Sequence, residues 1–361
     1  MIAHLAESIG RIVFAAMGAT IWCFTLAALT RALVFGVIMQ LRHPFVPKLV
    51  FQPREVLPFV RFGVRSAASQ VLYQLYTNLD YPVVGYYFGS EANGIYTLAY
   101  FIVLEPVKTI ANVVTDVAFP AFARLRHRGG ELVDQFIRLT RLNLLAVLPF
   151  VVLVALVVPE FLRMFYAGKN YTADQIAVCA EAARMLCVVG VLRGLGLLGP
   201  AVLDGVGRPG ATLRYMAFAT VAVPTAFVVF AIVFGDRLGL RSVALAWAVA
   251  YPLAFIVLGY QVRAAIALPI GRYLRGAGGI IASCAAGYAA GLAVDRALVG
   301  AGDGVRMVAV AGVALAVMLV LVARWQRITP RSIAASLRDP APPSSSASAP
   351  TPAPTTANNG T

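Results

Sequence analysis

Apolar runs of about twenty residues recur along the chain from Ile9 to Trp325, separated by short clusters of charge or of glycine and proline. At 1.5 Å per residue, a helical run of that length crosses the ~30 Å hydrocarbon core of a bilayer. The pattern therefore predicts membrane spans near 9–41, 57–88, 94–122, 141–165, 173–203, 211–234, 239–262, 277–298 and 305–325. An outer-membrane barrel is excluded, because its strands alternate polar and apolar every second residue. The first run, Ile9 to Leu41, exceeds the core thickness by more than half. It is either one tilted helix with an overhang or a clipped helix plus a full one, turning near Gly18.

Polar positions inside these runs carry the candidate chemistry, since a charge at membrane depth costs several kcal/mol and faces a cavity or a partner. Arg11, Arg31, Arg61, Arg65, Lys108, Arg184 and Arg193 lie within the spans, with the acids Asp80, Glu105, Asp116, Glu181 and Asp204. On the second span, Arg61, Arg65, Ser69, Tyr73, Tyr76 and Asp80 fall within about 120° of the helix circumference, opposite Val60, Val64, Ala67, Val71 and Leu75. One wall of that helix is expected to be wet. Arg61 and Asp80 are 19 residues apart, roughly 28 Å, and mark opposite ends. Arg61 and Arg65, one turn apart, offer a fork to phosphate oxygens, the alternative being that Arg61 snorkels to the headgroups.

On the third span, Glu105, Lys108, Thr109, Asn112 and Asp116 share a stripe, with Pro106 placed to kink the helix. Glu105 and Lys108, three residues apart, are also placed to neutralise each other. The fifth span repeats that spacing with Glu181 and Arg184, then sets Arg193 inside Gly190-Val-Leu-Arg-Gly-Leu-Gly-Leu-Leu-Gly199. Those glycines allow close helix contact or bending. The GxGxxG string at Gly194, Gly196 and Gly199 follows no strand and is not read as a nucleotide loop. Ile280 to Leu292 and Val308 to Val322 lack charges and read as peripheral packing helices.

Composition narrows the class further. The chain is 60% AVILMFWYC and 13% charged, against about 45–50% and about 25% in soluble domains, which excludes a soluble globular protein. A net charge of +14 suggests nucleic acid in a soluble protein, but here the basic residues punctuate apolar runs, and no nucleic-acid partner is expected. The connections 42–54, 124–141, 208–214, 263–275 and 324–338 hold 17 Lys and Arg, and the intervening ones hold 6. By the positive-inside rule the first set and the C-terminus are cytoplasmic. All four cysteines lie in apolar segments, so no disulfide framework follows. The three histidines show no ligand spacing, and neither a metal nor a cofactor is expected. The N-terminus has no basic n-region or cleavage pattern, so it is not expected to be a signal peptide. The segment Pro340 to Thr361 contains only Pro, Ala, Ser, Thr, Asn and Gly and is expected to be disordered.

The segment FVRFGVRSAASQVLYQLYTNLDYPVVGYYFGSEANGIYTLAYFIVLEPVKTIANVVTDVAFPAFARL, Phe59 to Leu125, resembles the polysaccharide flippases of the Wzx/PST type. The matching elements are Asp80 before Val83-Val84-Gly85, Phe88-Gly89, the helix start Gly94-Ile95-Tyr96-Thr97-Leu98-Ala99, Pro106 and Phe119-Pro120-Ala121-Phe122, with Leu203-Asp204-Gly205-Val206-Gly207-Arg208-Pro209 further on. The superfamily, MOP, also holds drug–cation antiporters and the lipid II flippase. The resemblance implies an all-α polytopic membrane bundle of about 9–10 transmembrane helices: a MATE/MOP-like second lobe plus two peripheral helices. It divides the chain into a remnant of the first lobe (1–41), a cytoplasmic linker (42–56), a six-helix second lobe (57–270), two peripheral helices (271–328) and a cytoplasmic disordered tail (329–361). Most of the first lobe has no counterpart here. One lobe supplies one wall of a pathway, so the chain alone is not expected to transport.

The function implied is translocation of an undecaprenyl-pyrophosphate-linked oligosaccharide, a lipopolysaccharide, O-antigen or exopolysaccharide precursor, across the bacterial inner membrane. A cationic cavity receives the pyrophosphate, and alternating access moves it. Arg61, Arg65, Lys108, Arg184 and Arg193 are the phosphate candidates, and Asp80, Asp116 and Glu181 the coupling-ion candidates. The bilayer is a partner, as are a polysaccharide polymerase and glycosyltransferases. A drug–cation antiporter of the same fold is the alternative. An enzyme is not expected, a membrane glycosyl- or acyltransferase being disfavoured because there is no DxD pair, intramembrane histidine or catalytic constellation.

Overall fold

The computed structural model describes residues 2–20, 22–42, 44, 53–168 and 171–326, with the backbone alone at 53–55, 58–59, 61–62 and 325–326. The tail over 329–361 and most of the 42–56 linker fall outside these residues. Backbone contacts divide the chain into Met1–Val60 and Arg61–Thr361.

In the first unit, α1 (Ile2–Ala16) and α2 (Trp22–Arg42) run antiparallel. Of the two readings of the long first run, the structure takes the second: the chain turns after α1 at 17–20, with Gly18 at φ 81°. Glycine adopts that angle without the clash other residues suffer. The hairpin closes where Gly10 faces Ala27 and where Glu7 accepts from both Arg11 (2.5 Å) and Arg31 (3.2 Å). Two of the sequence's in-span arginines therefore share one carboxylate.

The second unit holds α3 (Pro53–Asn78) from Arg61 onward, α4 (Asp80–Arg124), α5 (Gly129–Tyr166), α6 (Ala173–Gly196), α7 (Leu198–Gly205), α8 (Pro209–Leu238), α9 (Arg241–Ile266), α10 (Ile270–Ala297) and α11 (Asp303–Gln326). Across both units, eight helical stretches of the described residues are long and apolar enough to cross a membrane. One of them, Gly63–Arg124, has 62 residues, about 93 Å and far beyond a single crossing. It divides at Gly89, whose φ 86°, ψ 173° is open essentially to glycine alone. The break lies in the gap the sequence left between the spans 57–88 and 94–122; Pro106, placed to kink the helix, keeps helical backbone angles, and Gly89 is the non-helical residue within α4. Proline's ring tolerates helical φ, whereas Gly89 has left helical space altogether.

Two ends of the bundle follow from the antiparallel run of helices. At one end lie the turns 125–128, 206–208 and 267–269, tied by Arg272 to Asp134 (3.0 Å) and by Arg208 to the Ala264 carbonyl (3.2 Å). This is the basic end. At the other lie Gly89, 167–168, 171–172, 239–240 and 298–302. There Thr172 and Gln175 form a capping box, Gln175 also donates to Glu91, Arg241 meets Glu181 (2.7 Å), and Arg163 joins Asp303 (2.9 Å).

The main core gathers around Trp247, Tyr96, Phe122, Phe227 and Leu203. A second cluster, with Leu144, Leu156, Ile280, Cys284 and Met318, seats α10 and α11 on α5. Gly287 and Gly291 permit that contact: a Cβ on Gly291 would stand 2.6 Å from Leu156. All four cysteines are buried thiols.

Candidate functional site

α6 carries the site because its glycine run draws it deep into the bundle. A Cβ on Gly194 would press on Val147 at 3.1 Å, one on Gly196 on the Tyr251 hydroxyl at 2.6 Å, and one on Gly199 on Leu258 at 2.6 Å. Asn143 donates to the Gly194 carbonyl (2.7 Å) and fixes this approach from α5. The glycines serve packing, as the sequence reading of that string held. They place Arg193, 8% exposed, at the floor of a cavity of about 530 Å³.

The Arg193 guanidinium donates to the Tyr100 hydroxyl (2.8 Å) and lies 5.0 Å above the Trp247 ring and 5.5 Å from the Tyr100 ring. Among the described residues no carboxylate stands within ion-pair distance of it. Its charge is held by π faces, a favourable arrangement where water is scarce. At the indole N–H edge of Trp247 sits Asp80, fully buried. It accepts from the Tyr96 hydroxyl (2.7 Å), the Trp247 indole N–H (3.2 Å) and the Tyr81 backbone N–H (3.1 Å). Asp80 and Arg193 thus meet the same indole, the carboxylate at its N–H and the guanidinium over its face.

The cavity walls come from six helices. α3 presents Gln70, Tyr73, Gln74 and Tyr76, α4 presents Lys108, Asn112 and Asp116, α7 Asp204, α8 Tyr215 and α9 Tyr251. Lys108 is 3.4 Å from Glu105, so the neutralising pair read from their spacing forms. The charged lining is two cations and two carboxylates. Arg193 is buried and Lys108 is partly exposed, while Asp116 and Asp204 lie toward the basic end, where Asp204 accepts from Thr212 (2.7 Å).

The structure thus brings together Lys108, Asp116 and Arg193 among the candidates, with Asp80 on the same indole as Arg193. Arg65 stands apart, beside Arg208 and Arg214 in an open crevice of about 830 Å³ at the basic end. The Arg61 side chain is outside the described residues. Arg184 is exposed and donates to the Ala155 carbonyl (3.2 Å) on another face. Glu181 is engaged by Arg241 rather than Arg184. The wet wall expected along 61–80 ends early: Ser69, Tyr76, Thr77 and Asp80 are buried, with Tyr100 closing over Thr77 and Tyr96 and Trp247 over Asp80. Those aromatics were missed in the sequence. Their signal was there in Tyr96/Tyr100 and Trp247/Tyr251, pairs one turn apart that turn hydroxyls and an indole toward one face of an apolar span.

A family model described as "Polysaccharide biosynthesis protein" matches residues 1–173. The chain is 32% identical over 167 residues to the teichuronic acid biosynthesis protein TuaB of Bacillus subtilis, which covers 46% of this chain and 33% of that one. It is 29% identical over 192 residues to the lipopolysaccharide biosynthesis protein WzxC of Escherichia coli, covering 53% of this chain and 37% of the relative. Over 177 residues it is 25% identical to the amylovoran biosynthesis protein AmsL of Erwinia amylovora, 49% of this chain and 44% of that one. The matches span less than half the length of these relatives. Among solved structures, the lipid II flippase MurJ in an inward closed conformation superposes with a TM-score of 0.65 at 14% identity, over 90% of this chain and 66% of that one. The resemblance to Wzx-type polysaccharide exporters carried by Phe59 to Leu125 is therefore borne out in sequence, on an all-helical multi-pass membrane fold shared with the lipid II flippase.

Proposed function

We propose that the chain takes part in moving a lipid-linked oligosaccharide across the bacterial inner membrane, as a transporter rather than an enzyme. The observation that carries this reading is Arg193: a buried guanidinium without a carboxylate partner, held on aromatic faces at the floor of a cavity. It keeps donors available for an anion, and Lys108 stands on the facing helix. A pyrophosphate end would seat between them. Glutamines, Asn112 and tyrosine hydroxyls farther along the wall suit glycan hydroxyls. Of the coupling candidates, Asp116 is the one that lines the cavity with no hydrogen bond or ion pair to the described residues. Alternating access would expose this cavity first to the cytoplasmic side and then to the periplasmic side.

The test is binding of undecaprenyl pyrophosphate to the detergent-solubilised protein, followed by native mass spectrometry. Charge-assisted hydrogen bonds are worth about 1.5–3 kcal/mol, so Arg193→Gln is expected to weaken retention at least about tenfold, with Lys108→Gln weaker in effect and undecaprenol indifferent to both. Equal retention by wild type and both variants would overturn the phosphate assignment. Drug–cation antiport makes the opposite forecast: a lipophilic cation such as ethidium is retained and lost with Asp116→Asn.

A further inference from the structure

A second cavity, of about 330 Å³, opens between α5, the junction of α6 and α7, the last turns of α9 and the first turns of α10. Its origin is local. Ala267 adopts a left-handed conformation (φ 52°, ψ 44°) and Pro269 follows, so the chain turns within three residues. α10 then packs on α5 and α11 instead of lying back along α9, and a wedge is left between consecutive helices. Phe255, Leu258, Val262, Leu268 and Leu274 line it, and Gly259 leaves it open: a Cβ there would meet nothing within 4 Å.

One charged residue lines this slot, Arg263, and no carboxylate does. Arg263 is exposed and makes no hydrogen bond or ion pair with the described residues. Its two basic neighbours on the next helix are otherwise engaged, Arg272 with Asp134 and Arg275 with the Gly271 carbonyl. Tyr260 and Tyr273 flank the mouth, Tyr273 stacked on Phe136. Tyrosines at that level are the usual markers of the headgroup region. An apolar slot of this size, capped by one uncompensated guanidinium at the basic end of a membrane bundle, matches the chemistry of an acyl chain joined to a phosphate.

We propose that the α5–α9–α10 slot is a binding site for an anionic glycerophospholipid, its acyl chain between Leu258 and Leu274 and its phosphate on Arg263. The site is separate from the Arg193 cavity and does not depend on what that cavity carries. The surrounding bilayer supplies such a lipid, and the charge on Arg263 selects it over a zwitterionic one.

Native mass spectrometry of the delipidated protein tests this with phosphatidylglycerol and phosphatidylcholine of matched chains. Wild type is expected to retain phosphatidylglycerol about fivefold better, the worth of one arginine at a membrane surface. Arg263→Gln is expected to erase the preference and Arg263→Lys to restore part of it. Gly259→Leu, which fills the slot from open space, is expected to lose the retained lipid of either kind. Arg296→Gln, at the opposite end, is the control and leaves the preference intact. Equal retention of the two lipids by wild type, an unchanged preference in Arg263→Gln, or an equal loss in Arg296→Gln would each overturn the proposal. So would a slot that takes undecaprenyl phosphate in preference to phosphatidylglycerol.

Discussion

Asp80 shows how far a single residue could be read before the fold was known. Its place in an apolar span identified it as an expensive charge, and coupling-ion chemistry was the natural reading. In the structure its oxygens are taken by Tyr96, Trp247 and the Tyr81 amide, and its charge lies one ring from Arg193. Asp80 therefore orients the aromatic bed on which Arg193 rests. The bed was hidden from one-dimensional reading because Trp247 lies 167 residues away in the chain. Removing one partner of such a buried arrangement costs about 3–5 kcal/mol, since the other charge and its donors stay buried. Asp80→Ala is thus expected to be strongly destabilising in denaturant titration in mixed micelles. The double change Asp80→Ala with Arg193→Met is expected to cost less than the sum by about 1–3 kcal/mol. Strict additivity would show that the two charges are independent.

Helices were more legible than their contacts. Every apolar run forms helix, and Gly18 is the turn the sequence pointed to, because the helical signal is local in both cases. The break at Gly89 falls in the gap left between the spans 57–88 and 94–122, where the apolar run is interrupted by Gly89, Ser90, Glu91 and Asn93. What the sequence left open was which glycines are contacts. In α10, a Cβ on Gly287 would lie 2.9 Å from the Ala314 carbonyl as well as against Met318, whereas a Cβ on Gly312 of α11 would meet nothing within 4 Å. Backbone cannot step aside as a side-chain tip can. Gly287→Ala is expected to cost about 1–3 kcal/mol by forcing α10 and α11 apart. Gly312→Ala is expected to be neutral, or to add up to about 1 kcal/mol of helix propensity. Similar effects from both would mean that this helix pair is not packed through its glycines.

At the scale of the molecule, orientation rests on the imbalance of Lys and Arg between alternate connections, and the structure sharpens the argument. At the poorly basic end, several arginines have packing partners that account for their presence. Arg163 and Arg306 share Glu160 and reach Asp303 and Asp295, tying α5, α10 and α11 together, and Arg241 ties α9 to Glu181 of α6. At the basic end, Arg65, Arg214 and Arg263 line open crevices with no ion pair among the described residues. Arginines without a packing role are those the positive-inside rule weighs most clearly, so the basic end is expected to be cytoplasmic. Cysteine accessibility in intact cells measures this, and the background is low because the four native cysteines are buried. Glu91 and His127 are exposed at opposite ends. A membrane-impermeant maleimide reaching the periplasm is expected to label the Glu91→Cys variant in intact cells and the His127→Cys variant only after lysis. Labelling of His127→Cys in intact cells would invert the topology. It would also move the Arg263 slot to the periplasmic leaflet and open the acidic mouth of the central cavity, Asp116 and Asp204, to the outside first.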